Sequence, residues 1–341
     1  IDDNYSKYSP VPGYLALRQA ISEKLKNENG LDYNTSEIIV GTGGKQGVCN
    51  AVLALVNPGD EVVIPAPYWV SYPQMVKLAG GIPVVVSTEI ENNFKMTPDQ
   101  LEAAITPKTK MLILCSPSNP TGSVYSKDEL QELAEVIRRH ENVFVLSDEI
   151  YEHITYVGHT HSMAEFTGMK DRVIIANGAS KAYAMTGWRI GFIAAPQWIV
   201  KGCNKLQGQY TSGPCSVSQK AAEAAYTLPQ DCVETMRQAF ERRRDLIVSL
   251  AKEIPGLEVN KPEGAFYLFP KCSSFFGKTD GQRTINNSTD FAMYLLEVGH
   301  VATVGGDAFG DPDCFRMSYA TSDDNIKEAM SRIKNALSLL K

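Results

Sequence analysis

Asp148 and Lys181 are the residues from which a reaction is most readily built. Each stands just past a short β-rich run, Val143–Ser147 and Val173–Ala176, and ligands of parallel α/β sheets bind at the carboxyl ends of strands. Residues suited to an anion surround them. Gly41-Thr42-Gly43-Gly44-Lys45 follows the run Ile38–Val40 and lets backbone N–H groups approach a negative group at a helix start. It is not a P-loop, which needs four residues between its first Gly and the Gly-Lys pair, where two stand between Gly41 and Gly44. Gly41, Gly43 and Gly47 imitate a dinucleotide fingerprint, but the acids Asp60 and Glu61 begin the next strand instead of ending it. Ser116-Pro117-Ser118-Asn119-Pro120-Thr121-Gly122 follows Met111–Cys115; Glu149 and Tyr151 follow Asp148; Gly187-Trp188-Arg189 lies shortly beyond Lys181. An anionic partner, an amine and an anion cradle at neighbouring strand ends suit a cofactor such as pyridoxal phosphate.

The elements that must position these residues alternate in type from Ile38 to Ala195, which predicts a mostly parallel sheet covered by helices on both faces. The seven strands are Ile38–Val40, Glu61–Ile64, Ile82–Ser87, Met111–Cys115, Val143–Ser147, Val173–Ala176 and Ile190–Ala194. Helices are expected at Lys45–Leu55, Trp69–Ala79 and Asp128–His140, and before them Leu17, Ile21 and Leu25 recur at helical spacing, with Gly30 as a stop. After residue 230 a charged helix over Val233–Ile254 opens a smaller α+β unit. Its strands are Ala265–Phe269, His300–Val304 and Cys314–Ser318, and its helices Thr289–Val298 and Asn325–Leu340. The division expected is a large cofactor-binding domain over 1–230, with 1–12 as a lead-in, and a small C-terminal domain over 231–341.

At 341 residues the chain is long enough for two domains, and its net charge of -6 argues against a phosphate-backbone partner, which requires clustered Lys and Arg. The run Arg242-Arg243-Arg244 reads as a solvated helix face. Seven cysteines without a CxxC pair or zinc spacing read as reduced, mostly buried thiols of a cytoplasmic protein. No metal site is expected. No apolar run approaches the roughly 20 residues of a membrane span, and Ile1-Asp2-Asp3-Asn4 reads like the middle of something.

The stretch Gly178-Ala-Ser-Lys181-Ala-Tyr-Ala-Met-Thr-Gly-Trp-Arg189-Ile-Gly191 matches the lysine-attachment signature of class I aminotransferases. With Ser116-Pro-Ser-Asn119-Pro-Thr-Gly, Ser147-Asp148-Glu149-Ile-Tyr151 and Phe315-Arg316-Met-Ser-Tyr, the chain resembles the fold-type I enzymes that depend on pyridoxal phosphate. Val40-Gly-Thr-Gly-Gly-Lys45-Gln and Pro67-Tyr-Trp69-Val-Ser-Tyr72 are similar to the Iβ aspartate aminotransferases. The resemblance implies that Lys181 attaches the cofactor and moves the substrate's Cα proton, and that Asp148 pairs with the pyridine nitrogen. By the same resemblance Tyr151 and Asn119 hydrogen-bond the ring oxygen, Trp69 stacks on the ring, and Arg189 with the backbone of Gly43 and Gly44 holds the phosphate. Tyr8 would reach the phosphate of a neighbouring subunit in a homodimer with shared sites. For the substrate, Arg316 and Asn119 would take the α-carboxylate, with Trp69 beside it, and Lys45 the distal carboxylate of aspartate. Gly178 stands where many relatives have a phosphate-binding Ser, and an Arg lent by the partner in some relatives has no assigned counterpart. Relatives also begin some tens of residues earlier, with an arm that closes over the substrate.

Transamination between L-aspartate and 2-oxoglutarate by a ping-pong route is the leading expectation. Aromatic or broad-range transamination, or β-elimination on the same fold, shares the same first proton abstraction and the same residues. A non-enzymatic ligand sensor fused to a DNA-binding head ranks below these, because no helix-turn-helix segment precedes Tyr8 and the chain is acidic. A nicotinamide dehydrogenase ranks last.

Overall fold

The structure is a computed structural model that describes residues 2–341. The first part of the chain runs α1 (Leu15–Asn29), β1 (Ile38–Thr42), α2 (Gly44–Leu55), β2 (Glu61–Ala66), α3 (Ser71–Leu78), β3 (Ile82–Ser87) and α4 (Pro98–Ala104). It continues with β4 (Thr109–Cys115), α5 (Lys127–Arg139), β5 (Phe144–Asp148), β6 (Val173–Asn177), α6 (Ala179–Ala182), β7 (Ile190–Ala194), α7 (Gln197–Tyr210) and α8 (Ser216–Thr227). The remainder is α9 (Asp231–Lys252), β8 (Tyr267–Leu268), α10 (Ser288–Glu297), β9 (Val304–Gly305), β10 (Phe315–Ser318) and α11 (Asp323–Leu337).

The seven expected strands form one sheet in the order β1-β7-β6-β5-β4-β2-β3. Both faces are covered, and alternation along each strand shows it: Met111 and Ile113 of β4 enter one core while Leu112 and Leu114 enter the other. Only β7 runs antiparallel to its neighbours, with Thr42 opposite Ile190 and Asn177 opposite Phe192. That reversal has a direct consequence for the site. Residues just before β7 fall on the same sheet edge as residues just after β1, β5 and β6. Arg189 therefore joins Gly43, Asp148 and Lys181 there.

Leu17, Ile21 and Leu25 are fully buried on α1, which ends where Gly30, at φ 67°, donates its N–H to the Leu25 carbonyl. Residues 247–340 build a core of their own around Phe291, Phe315 and Tyr319, under a small antiparallel sheet ordered β8-β10-β9.

Four expectations need correction. The strand expected at His300–Val304 shrinks to Val304–Gly305, because His300 takes a left-handed conformation and pairing with β10 begins only at Val304. The strand expected at Ala265–Phe269 likewise pairs only over Tyr267–Leu268. In the basic run, Arg242 and Arg243 meet Asp323 on α11, but Arg244 is buried: it donates to the Pro262 carbonyl and Asp245 and lies over the Tyr156 ring. The seven cysteines are free, but only Cys203, Cys272 and Cys314 are buried, and Cys215 and Cys232 are exposed.

Candidate active site

A cavity of about 420 Å³ opens at the carboxyl edge of the large sheet, against the small one. Its floor is Asp148, the last residue of β5, which is buried. The Tyr72 hydroxyl donates to Asp148 Oδ2 at 2.6 Å, and the Ile150 backbone N–H reaches Oδ1 at 3.3 Å. Burial raises the Asp148 pKa, while the Tyr72 hydrogen bond, the Ile150 N–H and the charge of Lys181 work against the rise. Lys181 stands on the short helix α6, half-buried, with its Nζ 5.6 Å from the centres of the Tyr151 and Phe266 rings. Its pKa is lowered by burial first, against the pull of Asp148, and further by the charges of Arg189 and Arg316. An amine depressed in this way serves as a base closer to neutral pH.

Three more cations line the same space. Arg189, at φ 55°, donates to the carbonyls of Thr186 at 2.9 Å and Thr42 at 3.5 Å. Arg316 of β10 donates to Asn119 Oδ1 at 2.9 Å and is packed between the rings of Tyr267 and Phe309, at 4.6 and 4.7 Å. Burial lowers its pKa as well. Lys45 Nζ lies 4.9 Å over the Trp69 ring. Among the described residues none of these four cations has a carboxylate partner within salt-bridge distance, and Asp148 is the only acid lining the cavity. Four cations to one carboxylate make the cavity a receptor for an anionic ligand.

Two glycines shape the anion side. A Cβ on Gly43, at φ 82°, would stand 2.5 Å from Arg189 Nη2, so only glycine lets that guanidinium lie against the start of α2. A Cβ on Gly178 would meet the Gly191 Cα at 2.7 Å and the Ile190 carbonyl at 2.8 Å. A serine at 178 therefore does not fit this backbone, and the nearby hydroxyl facing the cavity is that of Ser180.

Residues 1–333 match the family Aminotransferase class I and II. The chain belongs to that family. It is 51% identical to the bifunctional aspartate aminotransferase and glutamate/aspartate-prephenate aminotransferase of Petunia hybrida, over 100% of this chain and 72% of that one. It is 50% identical to the aspartate/prephenate aminotransferase of Cereibacter sphaeroides, over 98% and 84%. The crystal structure of the aspartate aminotransferase from Rhizobium meliloti superposes with a TM-score of 0.96 at 45% identity, covering 100% of this chain and 86% of that one. The sheet order and the second small sheet are thus those of a fold-type I aminotransferase.

In this aminotransferase the cavity brings together Gly44, Lys45, Trp69, Asn119, Asp148, Tyr151, Lys181, Arg189 and Arg316. Gly43 lies just behind Arg189. Tyr8 does not join them: it is fully exposed and borders a separate surface recess with Gly213–Ser216. Sequence reasoning passed over Tyr72, Cys115, Ser180, Thr186 and Tyr267, which also line the cavity. Tyr72 carried a signal, since it stands three residues after Trp69 at the start of a helix and the two rings meet edge to face, centres 5.3 Å apart. Tyr267 carried none that separates it from core, although its hydroxyl lies 3.0 Å from that of Tyr151.

Proposed function

We propose that this aminotransferase uses pyridoxal 5'-phosphate to move the amino group of L-aspartate to 2-oxoglutarate, one substrate after the other. The observation that carries the reading is the cavity's charge: a lone buried carboxylate on the floor, an amine with a depressed pKa beside it, and three further cations without acidic partners around them. That set fits a ring that presents a basic nitrogen, an aldehyde and a dianion. Asp148 would hold the ring nitrogen protonated, a cation on that carboxylate offsetting the burial that now raises its pKa. Tyr151 and Asn119 would meet the ring oxygen, Trp69 the ring face, and Arg189 with the N–H groups of Gly43 and Gly44 the phosphate. Lys181 would carry the covalent link. When bound, the cofactor supplies an electron sink for the pair left as the Cα–H bond breaks. Once the substrate's amine has displaced it from that link, the free Lys181 amine would take that proton and return it. Arg316, braced by Asn119 and two rings, fixes the substrate's α-carboxylate with a planar fork that Lys could not reproduce.

The relatives named for prephenate favour a second acceptor. Prephenate and aspartate both present a carboxylate beyond the one Arg316 would hold, and Lys45, which lines the cavity, would meet it. The chain would divide into a cofactor-binding domain over 1–230 and a small domain over 231–341. Tyr8, exposed on its own subunit, supports a homodimer in which it serves the partner's phosphate; static light scattering of an active monomer would contradict that. Free cysteines support a cytoplasmic setting, and among the described residues no helix is long and apolar enough to cross a membrane.

The test of the central reading is the visible absorbance of the purified protein with added pyridoxal phosphate. A band that changes on adding aspartate and returns on adding 2-oxoglutarate is expected; a spectrum identical to the free cofactor's sinks the proposal.

A further inference from the structure

A second charged cluster, centred on a buried ion pair, lies behind the cavity and takes no part in the chemistry above. Glu152, one residue past Tyr151, forms a buried ion pair with Lys24 of α1. Its other oxygen, Oε2, accepts from Asn29 Nδ2 at 2.8 Å, and Asn29 Oδ1 accepts from Lys24 Nζ at 2.7 Å. Glu28 and His153 flank the pair at 3.5 and 3.6 Å. Glu152 Oε1 also accepts from the Asn177 side-chain amide at 2.7 Å. Asn177 ends β6, and its Oδ1 accepts the backbone N–H of Gly178 at 2.7 Å. Gly178 is the residue before α6, which carries Lys181.

We propose that Glu152 and Asn177 are positioning residues that fix the α6 backbone, and with it Lys181, against the segment bearing Asp148 and Tyr151. The geometry is specific. An amide has one donor end and one acceptor end, and only when Nδ2 faces Glu152 does Oδ1 face the Gly178 N–H. The carboxylate, held by Lys24 and Asn29 from α1, thus decides which way the amide points. Three residues separate Asp148 from Glu152 and three separate Asn177 from Lys181, so one hydrogen bond ties the two short segments whose ends must meet across the cofactor. Burial pushes the Glu152 carboxyl up, but Lys24 first and then His153 bring it down to about 2, so it stays ionised while the enzyme works.

The inference rests on Lys181 being the attaching lysine, and the experiment separates the two claims. Holoenzyme variants Glu152→Gln, Asn177→Ala and the double variant are compared with Lys181→Ala for kcat, KM, thermal unfolding and the pH titration of the bound cofactor's visible absorbance. Asn177→Ala leaves the Lys24–Glu152 pair intact and so guards against a variant that fails to fold. A displacement near 1 Å at a reacting group lowers kcat by about 10- to 100-fold, and both single variants should show that loss with KM little changed. The double variant should be no worse than the poorer single, because both cut one link. In Glu152→Gln the titration midpoint should also move to lower pH, since the Lys24 ammonium is left uncompensated and disfavours a second positive charge. Lower unfolding temperatures with unchanged kcat and unchanged titration would show that the cluster only stabilises the fold and would overturn the proposal. If Lys181→Ala still bound cofactor covalently, the assignment of Lys181 itself would fall, whatever the other variants did.

Discussion

The floor and the rim of the cavity hold their charges by opposite means. On the floor, Asp148, Tyr72 and Tyr151 are buried, and every one of their pKa values is pushed up by the loss of water. At the rim, Lys45 and Arg189 remain exposed, with backbone carbonyls or an aromatic face as neighbours in place of counter-ions. Burial strengthens electrostatic interactions and shifts proton affinities, whereas an exposed cation recognises an anion without having been desolvated in advance. The floor is therefore suited to managing protons and the rim to selecting and holding anions. Substitutions on the floor should alter rate for every substrate, and substitution of Lys45, the rim cation facing the substrate, should alter which substrate is used.

The largest effect belongs to Lys181, which stands between the two. Lys181→Ala should cost more than about 10⁴-fold in turnover, since proton transfer alone contributes up to roughly that factor and the covalent link is lost as well. Cofactor should remain bound through the floor and rim but should no longer be fixed by borohydride. Covalent labelling of the variant would mean that another amine does this work.

Lys45→Ala tests the rim. A charge-assisted contact to a carboxylate is worth roughly 1.5–3 kcal/mol, so kcat/KM for aspartate should fall about ten- to a hundredfold at ~1.4 kcal/mol per decade. Alanine, with no distal carboxylate, should be nearly unaffected. Equal losses for the two substrates would move Lys45 from selection to general support, and the aspartate assignment would lose its main residue.

Much of this division was legible in the sequence, for reasons that differ between regions. Strands buried on both faces read as continuous apolar runs, so β4 and β6 could be placed, and polar residues directly after them stood out as site candidates. The small sheet was less legible because its strands pair over two to four residues, too few for alternation to register. Helices α7 and α8 carried no start signal: Pro196 and Cys215 occupy their N-caps and neither side chain caps. The motifs named Lys181, Arg189 and Arg316, yet the lining by Tyr267 and the bracing of Arg316 by Phe309 depend on long-range packing that no local pattern encodes.

Tyr72→Phe probes the floor more gently. Its hydroxyl stabilises the charged form of Asp148, and removing a hydrogen bond to the charged form of an acid raises its pKa. The acid limb of the kcat profile should move up by about one pH unit, with roughly tenfold lower activity on its acid side. Aspartate and alanine should suffer alike. A change confined to aspartate would place Tyr72 with the rim and break the division between proton-handling floor and anion-selecting rim.

The smallest effect concerns Glu149, the neighbour of Asp148 that points away from the cavity. Its Oε1 accepts from the hydroxyls of Ser147 at 2.7 Å and Ser162 at 2.6 Å. Burial, with Glu152 adding to it, pushes the Glu149 carboxyl up to about 8 against the pull of those two hydroxyls. In the unfolded chain a Glu titrates near ~4.3. Between those two values the folded state holds the proton that the unfolded state has released, so stability falls as pH rises from about 4.3 toward 8. Glutamine cannot titrate, and its side-chain oxygen can accept the same two hydroxyl hydrogens. Glu149→Gln should therefore leave stability nearly unchanged at pH 4 and raise it by at least about 1 kcal/mol at pH 8, a pKa unit being worth ~1.4 kcal/mol. Denaturant unfolding at the two pH values measures the difference. An equal effect at both would show that Glu149 is ionised throughout and that the desolvation inferred for the floor stops at Asp148.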